Sequence, residues 1–382
     1  MRPQDPFIGR EILNGQFQIL QKIGSGGMGA VYKALQPQMN RMVGVKILHP
    51  KLANRKDLVS RFRREARAMS QLTHPNTVKV FLYGELDDGS LYIVMEFLEG
   101  KNMNQTVRAD GPFPVGRALP ILIQACGALD EAHKAGIVHR DLKPENIFLV
   151  QSGTLHDFPK VLDFGLAKVG ERQMRPGSVI LTQEGMVFGT PEFMSPEQAQ
   201  GKVLTPASDI YSLAVILFEA LTGKLPFDAK SAMEHIQLHV TTRPVLLNQR
   251  VPGKTFPPLL EQVIDRALAK RPEDRFASAA DFAAAMQSIL QGAAQLPPEL
   301  ARGSGIETRT IPGELGERIA TVHGPPPPAS DGMQGLAPAA GPAAVEVAAG
   351  PRTNVAFLVG IAVAFLLLGI GLAVLVMKLV LR

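Results

Sequence analysis

The chain has 382 residues, a formal charge of +5 from 40 Lys+Arg against 35 Asp+Glu, and 46% hydrophobic residues. That is enough for one large folded domain with extra segments, and the small charge excess, with no basic run interleaved with aromatics, argues against a nucleic-acid partner. The single cysteine, Cys126, rules out an internal disulfide and agrees with a reducing compartment. It falls in the apolar stretch from Leu119 to Leu129 and reads as a small core residue. The histidines are scattered without metal-ligand spacing. Met1 to Leu20 carries Arg2, Asp5, Arg10 and Glu11 and no long apolar run, so no signal peptide is read there.

Phe17-Gln18-Ile19-Leu20 alternates as a strand does and leads into Gly24-Ser25-Gly26-Gly27-Met28-Gly29-Ala30-Val31. Glycines at 24, 26 and 29 let a hairpin lie close over phosphates and offer backbone N–H groups without side-chain obstruction. A dinucleotide fold would need a helix starting at the third glycine. Here Ala30 to Leu35 continues as a strand instead. Val43 to Leu48 is a β-rich hexad with one inserted charge, Lys46, and a lysine in a buried strand is costly unless paired. In the next helix Leu58, Phe62, Ala66, Met69 and Leu72 recur every three or four residues and mark the inward face. Glu65 lies on that face, and a buried Lys46–Glu65 ion pair is expected. Leu91 to Leu98 is a further apolar strand.

The densest chemistry lies in His139-Arg140-Asp141-Leu142-Lys143-Pro144-Glu145-Asn146, followed seventeen residues after Asn146 by Asp163-Phe164-Gly165. One short stretch thus supplies an acid able to accept a hydroxyl proton, a lysine, an amide ligand and a second acid, the parts needed to align an alcohol, a nucleotide and Mg²⁺. With G-x-G-x-x-G-x-V upstream, the order and spacing resemble the protein kinases. The style of G-S-G-G-M-G, R-F-R-R-E-A and M-S-P-E-Q is similar to the bacterial Hanks-type, eukaryotic-like serine/threonine kinases. The resemblance covers residues 17–290 and implies an α+β bilobal fold with a β-rich small lobe and a mostly helical large lobe.

On that resemblance Asp141 and Lys143 are the expected catalytic residues, and Asn146 and Asp163 the expected ligands of Mg²⁺, with Mn²⁺ as a substitute. ATP is expected against Ile23, Gly24, Ser25, Gly26, Gly27, Met28, Gly29, Val31, Lys46, Glu65, Glu96, Leu98 and Phe148. Val31 would cover the adenine, and the Glu96 C=O and Leu98 N–H would bond its edge, with Met95 behind. Gly44 departs from the usual alanine and loosens the adenine roof. The D-L-K-P-E-N loop and Gly189-Thr190-Pro191-Glu192 resemble serine/threonine rather than tyrosine kinases, with Thr190 expected to bond near Asp141 and Lys143. Glu197, in Ser195-Pro196-Glu197, is expected to pair with Arg275, Asp209 to anchor the catalytic loop, and Phe81, Met69, His139 and Phe164 to stack as a spine.

Arg140 creates positive charge that a phosphate on the segment from Asp163 to Glu197 would neutralise. Thr182 is the expected main autophosphorylation site and Ser178 the next. A catalytically silent kinase fold acting as a membrane scaffold is the rival reading. Such folds usually lack the strand lysine, the loop Asp or the metal Asp, and Lys46, Asp141, Asn146 and Asp163 are all present.

Residues 292–353 carry ten Gly and ten Pro among 62, so 291–353 reads as a disordered juxtamembrane linker. Val355 to Met377 are 23 consecutive residues without a charge or strongly polar group. As a helix they span roughly 35 Å, so residues 354–377 are expected to cross a bilayer, with 378–382 as a short tail. A kinase needing ATP would then face the cytoplasm from the inner membrane, with protein Ser/Thr hydroxyls as acceptors. Ala356, Gly360 and Ala364 recur along one face of that helix and permit a transient homodimer.

Overall fold

Period-two alternation builds the small lobe. In β1 (Glu11–Ile12), β2 (Phe17–Gly26), β3 (Gly29–Gln36) and β4 (Arg41–Leu48), buried Phe17, Ile19, Tyr32, Ala34, Val43 and Val45 line one face. After helix α1 (Lys56–Met69), β5 (Val80–Glu85) and β6 (Leu91–Glu96) complete an antiparallel sheet of order β1-β2-β3-β4-β6-β5. The chain is seen here as a computed structural model that describes residues 5–26, 29–48, 56–164 and 190–301. The expected inward face of α1 is buried at Phe62, Ala66 and Met69, and Leu72 just past the helix continues it.

The large lobe opens with β7 (Gly100–Asn102) and helices α2 (Met103–Asp110) and α3 (Val115–Lys134). Then β8 (Ile147–Ser152) pairs with β7, and β9 (Leu155–Val161) with β8, in a second antiparallel sheet, β7-β8-β9. Next come α4 (Pro196–Ala199), α5 (Pro206–Thr222), α6 (Ala232–Thr241), α7 (Leu247–Arg250), α8 (Pro258–Ala267), α9 (Ala279–Leu290) and α10 (Pro298–Ala301). Helix α5 is buried on nearly every side from Ser208 to Leu221, as a helix at the centre of a lobe must be. Cys126 lies in the same core, fully buried, and burial raises its thiol far from reactivity. Among the described residues the fold is thus the expected α+β pair of lobes.

Two expectations need correction. The linker does not begin at residue 291: α10 docks on the large lobe, Leu300 is buried in its core, and the buried Arg266 guanidinium donates to the Leu300 carbonyl. A hydrogen-bond donor buried with an apolar anchor orders this stretch despite its Gly/Pro composition. The spine expected to include Phe81 does not hold it. Val80, Met69 and Phe164 share one core cluster, whereas Phe81 packs with the other, under the Arg41 guanidinium at 4.0 Å. The β5–β6 register slips between Val80 and Leu82, at Phe81 itself, so the simple period-two alternation that would place Phe81 fails there. No helix among the described residues is long and apolar enough to cross a membrane, and the expected span at 354–377 lies outside them.

Candidate active site

The β3–β4–β6 register brings the small-lobe candidates onto one face. Val31 pairs with Lys46 across β3–β4, while Gly44 pairs with Met95 and Lys46 with Ile93 across β4–β6. Gly29 has a clear steric reason: a Cβ there would collide with the Ile47 carbonyl of the adjacent strand. Gly26 and Gly24 have none, since a Cβ would meet nothing within 4 Å at Gly26 and only the Val31 Cβ, at 4.0 Å, at Gly24. Packing among the described residues therefore leaves these two glycines unexplained. Ile23 is exposed at the end of the same hairpin, and Ser25 pairs with Ala30. Gly27 and Met28 lie outside the described residues. At Gly44 the missing Cβ is matched by Met95, whose Cγ would stand 3.3 Å from it, so the gatekeeping side chain occupies the space.

Lys46 finds a different partner from the expected one. Its Nζ bonds Asp163 Oδ1 at 2.7 Å, and the Lys46–Glu65 ion pair is not formed. Asp163 adopts a left-handed backbone, φ 55°, and so aims its carboxylate at the strand lysine. Glu65 is half-buried on α1 and is engaged elsewhere. Burial alone would raise the Asp163 carboxyl; the Lys46 ammonium, with a smaller pull from Lys143, carries it below its ordinary value. Asp163 therefore stays ionised.

The catalytic-loop candidates are held from beneath. Asp209, buried at the start of α5, accepts from the His139 N–H at 2.8 Å and the Arg140 N–H at 2.9 Å, as expected. His133 Nε2 adds a third bond at 2.7 Å, which the sequence reading missed. His133 is six residues before His139 at the end of α3, and only the return of the chain past α5 reveals its role. The His139 tautomer follows from its contacts. Nε2 meets the Leu162 carbonyl at 2.7 Å, so it carries the proton, and Nδ1 accepts from the Asp141 N–H at 3.4 Å. Arg140 takes φ 69° to permit this turn. The His139 and Phe164 rings lie 4.9 Å apart, tying the loop to the residue beside Asp163.

Above that base, Lys143 Nζ donates to Asp141 Oδ2 at 2.9 Å, and Asn146 Nδ2 donates to the Asp141 carbonyl at 2.7 Å. The Asn146 amide nitrogen being committed, its carbonyl oxygen is the end left to act as a ligand. The expected bond from Thr190 to Asp141 or Lys143 is not formed, and Lys143 bonds Asp141 alone among these three. Asp141, Lys143, Asn146 and Asp163 are thus brought together around one cleft edge with Lys46. The donor set of one ionised carboxylate and one amide oxygen is hard and suits Mg²⁺ or Mn²⁺, which keep further oxygen ligands of their own.

The far wall is set by Glu96 and Phe148. Glu96 Oε1 accepts from the Lys79 N–H at 2.8 Å and from Lys160 Nζ at 2.7 Å, a side-chain clamp that the backbone role read from sequence did not include. Phe148 pairs with Lys160 across β8–β9, so it shares the face from which that lysine reaches Glu96. Leu98 lies half-buried between β6 and β7, beside Phe97, whose ring carries the Lys33 ammonium at 4.6 Å.

At the other end of the site Arg275 is fully buried and grips both oxygens of Glu197, at 2.7 and 2.8 Å, as expected. Burial would raise this carboxyl, but the guanidinium holds it below its usual range. Thr182 and Ser178 lie outside the described residues.

The protein kinase domain family model matches residues 17–290. The chain is 41% identical over 285 residues to the serine/threonine-protein kinase pkn3 of Myxococcus xanthus, covering 75% of this chain and 52% of that protein. It is 40% identical over 277 residues to the serine/threonine-protein kinase PrkC of Bacillus subtilis, covering 72% of this chain and 41% of that one. The chain thus spans about half the length of the curated relatives it matches. Among solved structures, the kinase domain of Mycobacterium tuberculosis PknI superposes with a TM-score of 0.57 at 28% identity, over 73% of this chain and 98% of that domain.

Proposed function

Because this chain belongs to the protein kinase family, we propose that it transfers the γ-phosphoryl group of ATP to serine and threonine hydroxyls of proteins. The observation that carries this reading is the convergence of Lys46, Asp163, Asp141, Lys143 and Asn146 on one edge, over a base fixed by Asp209.

Asp141 orients the acceptor hydroxyl and accepts its proton, and Lys143, already on Asp141, steadies the charge of the transferring group. Lys46 directs its ammonium to the α- and β-phosphates. Gly24 and Gly26, on which packing among the described residues makes no demand, let backbone N–H groups approach the phosphates. Asn146 and Asp163 would hold Mg²⁺, which when bound neutralises phosphate oxygens. Val31, Met95 and Phe148 would enclose the adenine, with its edge bonded by the backbone of Glu96 and Leu98. Thr182 and Ser178 would be autophosphorylated by a second copy, and the span at 354–377 would hold the kinase at the cytoplasmic face of a membrane.

The test is phosphate transfer from labelled ATP·Mg²⁺ by the full chain, beside Asp141→Asn, with phosphoamino-acid analysis. Label on threonine and serine in the wild type only is expected. Equal labelling by Asp141→Asn, or label on tyrosine, would overturn the reading.

A further inference from the structure

The turn Pro191–Phe193, just before α4, is held by two neutral side-chain donors. Ser212 Oγ donates to the Phe193 carbonyl at 2.7 Å, and the ring Nε2 of His239 on α6 meets the Glu192 carbonyl at 3.0 Å. A carbonyl oxygen only accepts, so Nε2 carries the proton. The opposite nitrogen, Nδ1, then accepts from the Tyr211 hydroxyl at 2.9 Å. His239 is fully buried, and burial pushes its imidazole down to about 3, with Lys270 and His235 adding to the fall and the Glu192 carbonyl opposing it. The ring is therefore neutral, with one donor and one acceptor, both used.

Simple packing does not call for such a residue. An apolar side chain would fill the space without the cost of burying two polar nitrogens. The surroundings also hold the ring still: the Phe227 ring stands edge-on at 4.9 Å, and Lys270 Nζ donates to the His239 carbonyl at 2.9 Å.

The turn so fixed borders the catalytic loop. Glu219 on α5 is pushed up to about 7, first by burial and then by the charge of Glu145, with a smaller push from Glu192 against an opposing pull from Arg108. Glu145, bonded by Asn104 at 2.6 Å, sits in the short turn immediately after Lys143. Helix α5 joins the two by geometry: Asp209 accepts from the His139 and Arg140 N–H groups of the catalytic loop, and Ser212, one turn further along, donates to the Phe193 carbonyl of this turn.

We propose that His239 is a positioning residue for the protein acceptor: its neutral imidazole fixes the Glu192 carbonyl, and with it the turn against which the acceptor segment is laid. This deepens the kinase reading and rests on it. His239 touches neither nucleotide nor reacting atoms, so its effect falls on acceptor binding rather than on ATP.

Two substitutions in the full chain separate this role from general support. His239→Gln keeps a donor long enough to reach the Glu192 carbonyl. His239→Asn keeps an acceptor for the Tyr211 hydroxyl but is too short to donate to the Glu192 carbonyl. With myelin basic protein as acceptor, Asn is expected to raise the acceptor KM about fivefold to tenfold, with Gln within about twofold of wild type and the ATP KM steady in both. An unchanged acceptor KM in Asn overturns the role, as does an ATP KM that rises in step with it. Should Asn fail to fold, Tyr211→Phe, which frees the imidazole tautomer, is expected to raise the acceptor KM in the same direction, and no rise overturns the role. No transfer by the wild-type chain would instead sink the kinase reading, and the positioning role with it.

Discussion

Lys46 and Arg275 each meet one carboxylate across a long stretch of chain, 117 residues away at Asp163 and 78 away at Glu197. The first pair is single-pronged, with side chains 14% and 31% exposed; the second is two-pronged, at 0% and 5%. Arg275 also donates to the carbonyls of Ala269, Ala207 and Lys270, so its remaining N–H groups are satisfied. A lysine is a point charge on a flexible stem and exchanges partners readily, whereas a buried guanidinium fork is committed by geometry. The cleft pair is thus suited to being re-partnered during a reaction, and the pair beneath α4 to holding the end of the site in place.

Breaking the cleft pair is expected to give the largest effect, and on activity alone. Lys46→Met and Asp163→Asn should each lower phosphotransfer by about 10²-fold or more while the thermal midpoint moves by only a few degrees. A large fall in midpoint with little loss of turnover would reverse the assignment of roles.

The anchor pair should behave in the opposite way. Arg275→Met strands a buried carboxylate and is expected to cost about 3–5 kcal/mol of stability in denaturant titration. Glu197→Gln adds a pH signature. The ordinary Glu value is 4.5 and the folded value lies below it. The stability from the ionised group is therefore full above pH 4.5 and is lost as pH falls through the folded value. The wild-type advantage over Glu197→Gln should shrink on acidification below pH 4.5, and an advantage that grew there would contradict the pairing.

The smallest effect is expected at Gly44. Gly44→Ala brings a Cβ to 3.3 Å from the Met95 Cγ, and a flexible methionine yields by a few tenths of an ångström. The ATP KM should change by no more than about twofold to threefold. A tenfold change would show that Met95 is locked, and would make this wall as rigid as the Arg275 anchor.

Much of the site was legible because its parts lie close in sequence. Asp141, Lys143 and Asn146 fall within six residues, and the bonds among them close across that one loop. The inward face of α1 was legible too, since helical period alone selects Phe62, Ala66 and Met69. The choice of Asp163 over Glu65 for Lys46 was not, because it depends on a left-handed turn at one residue. The placing of Phe81 outside the core of Met69 and Phe164 was missed for a similar reason: a slip in the β5–β6 register decides it, and register is a property of the pair of strands.

By itself the sequence determined the lobes, the order of their elements and the residue types that converge on the cleft, since local period and tightly spaced polar residues need no long-range information. Only the tertiary structure decided the partners: Asp163 for Lys46, His133 as the third bond to Asp209, Lys160 on Glu96, His239 under Glu192 and Arg266 on Leu300. Each of these joins groups far apart in the chain. A buried donor or charge must be satisfied by whatever the folded backbone brings within about 3 Å, and no spacing in the sequence records which group that will be.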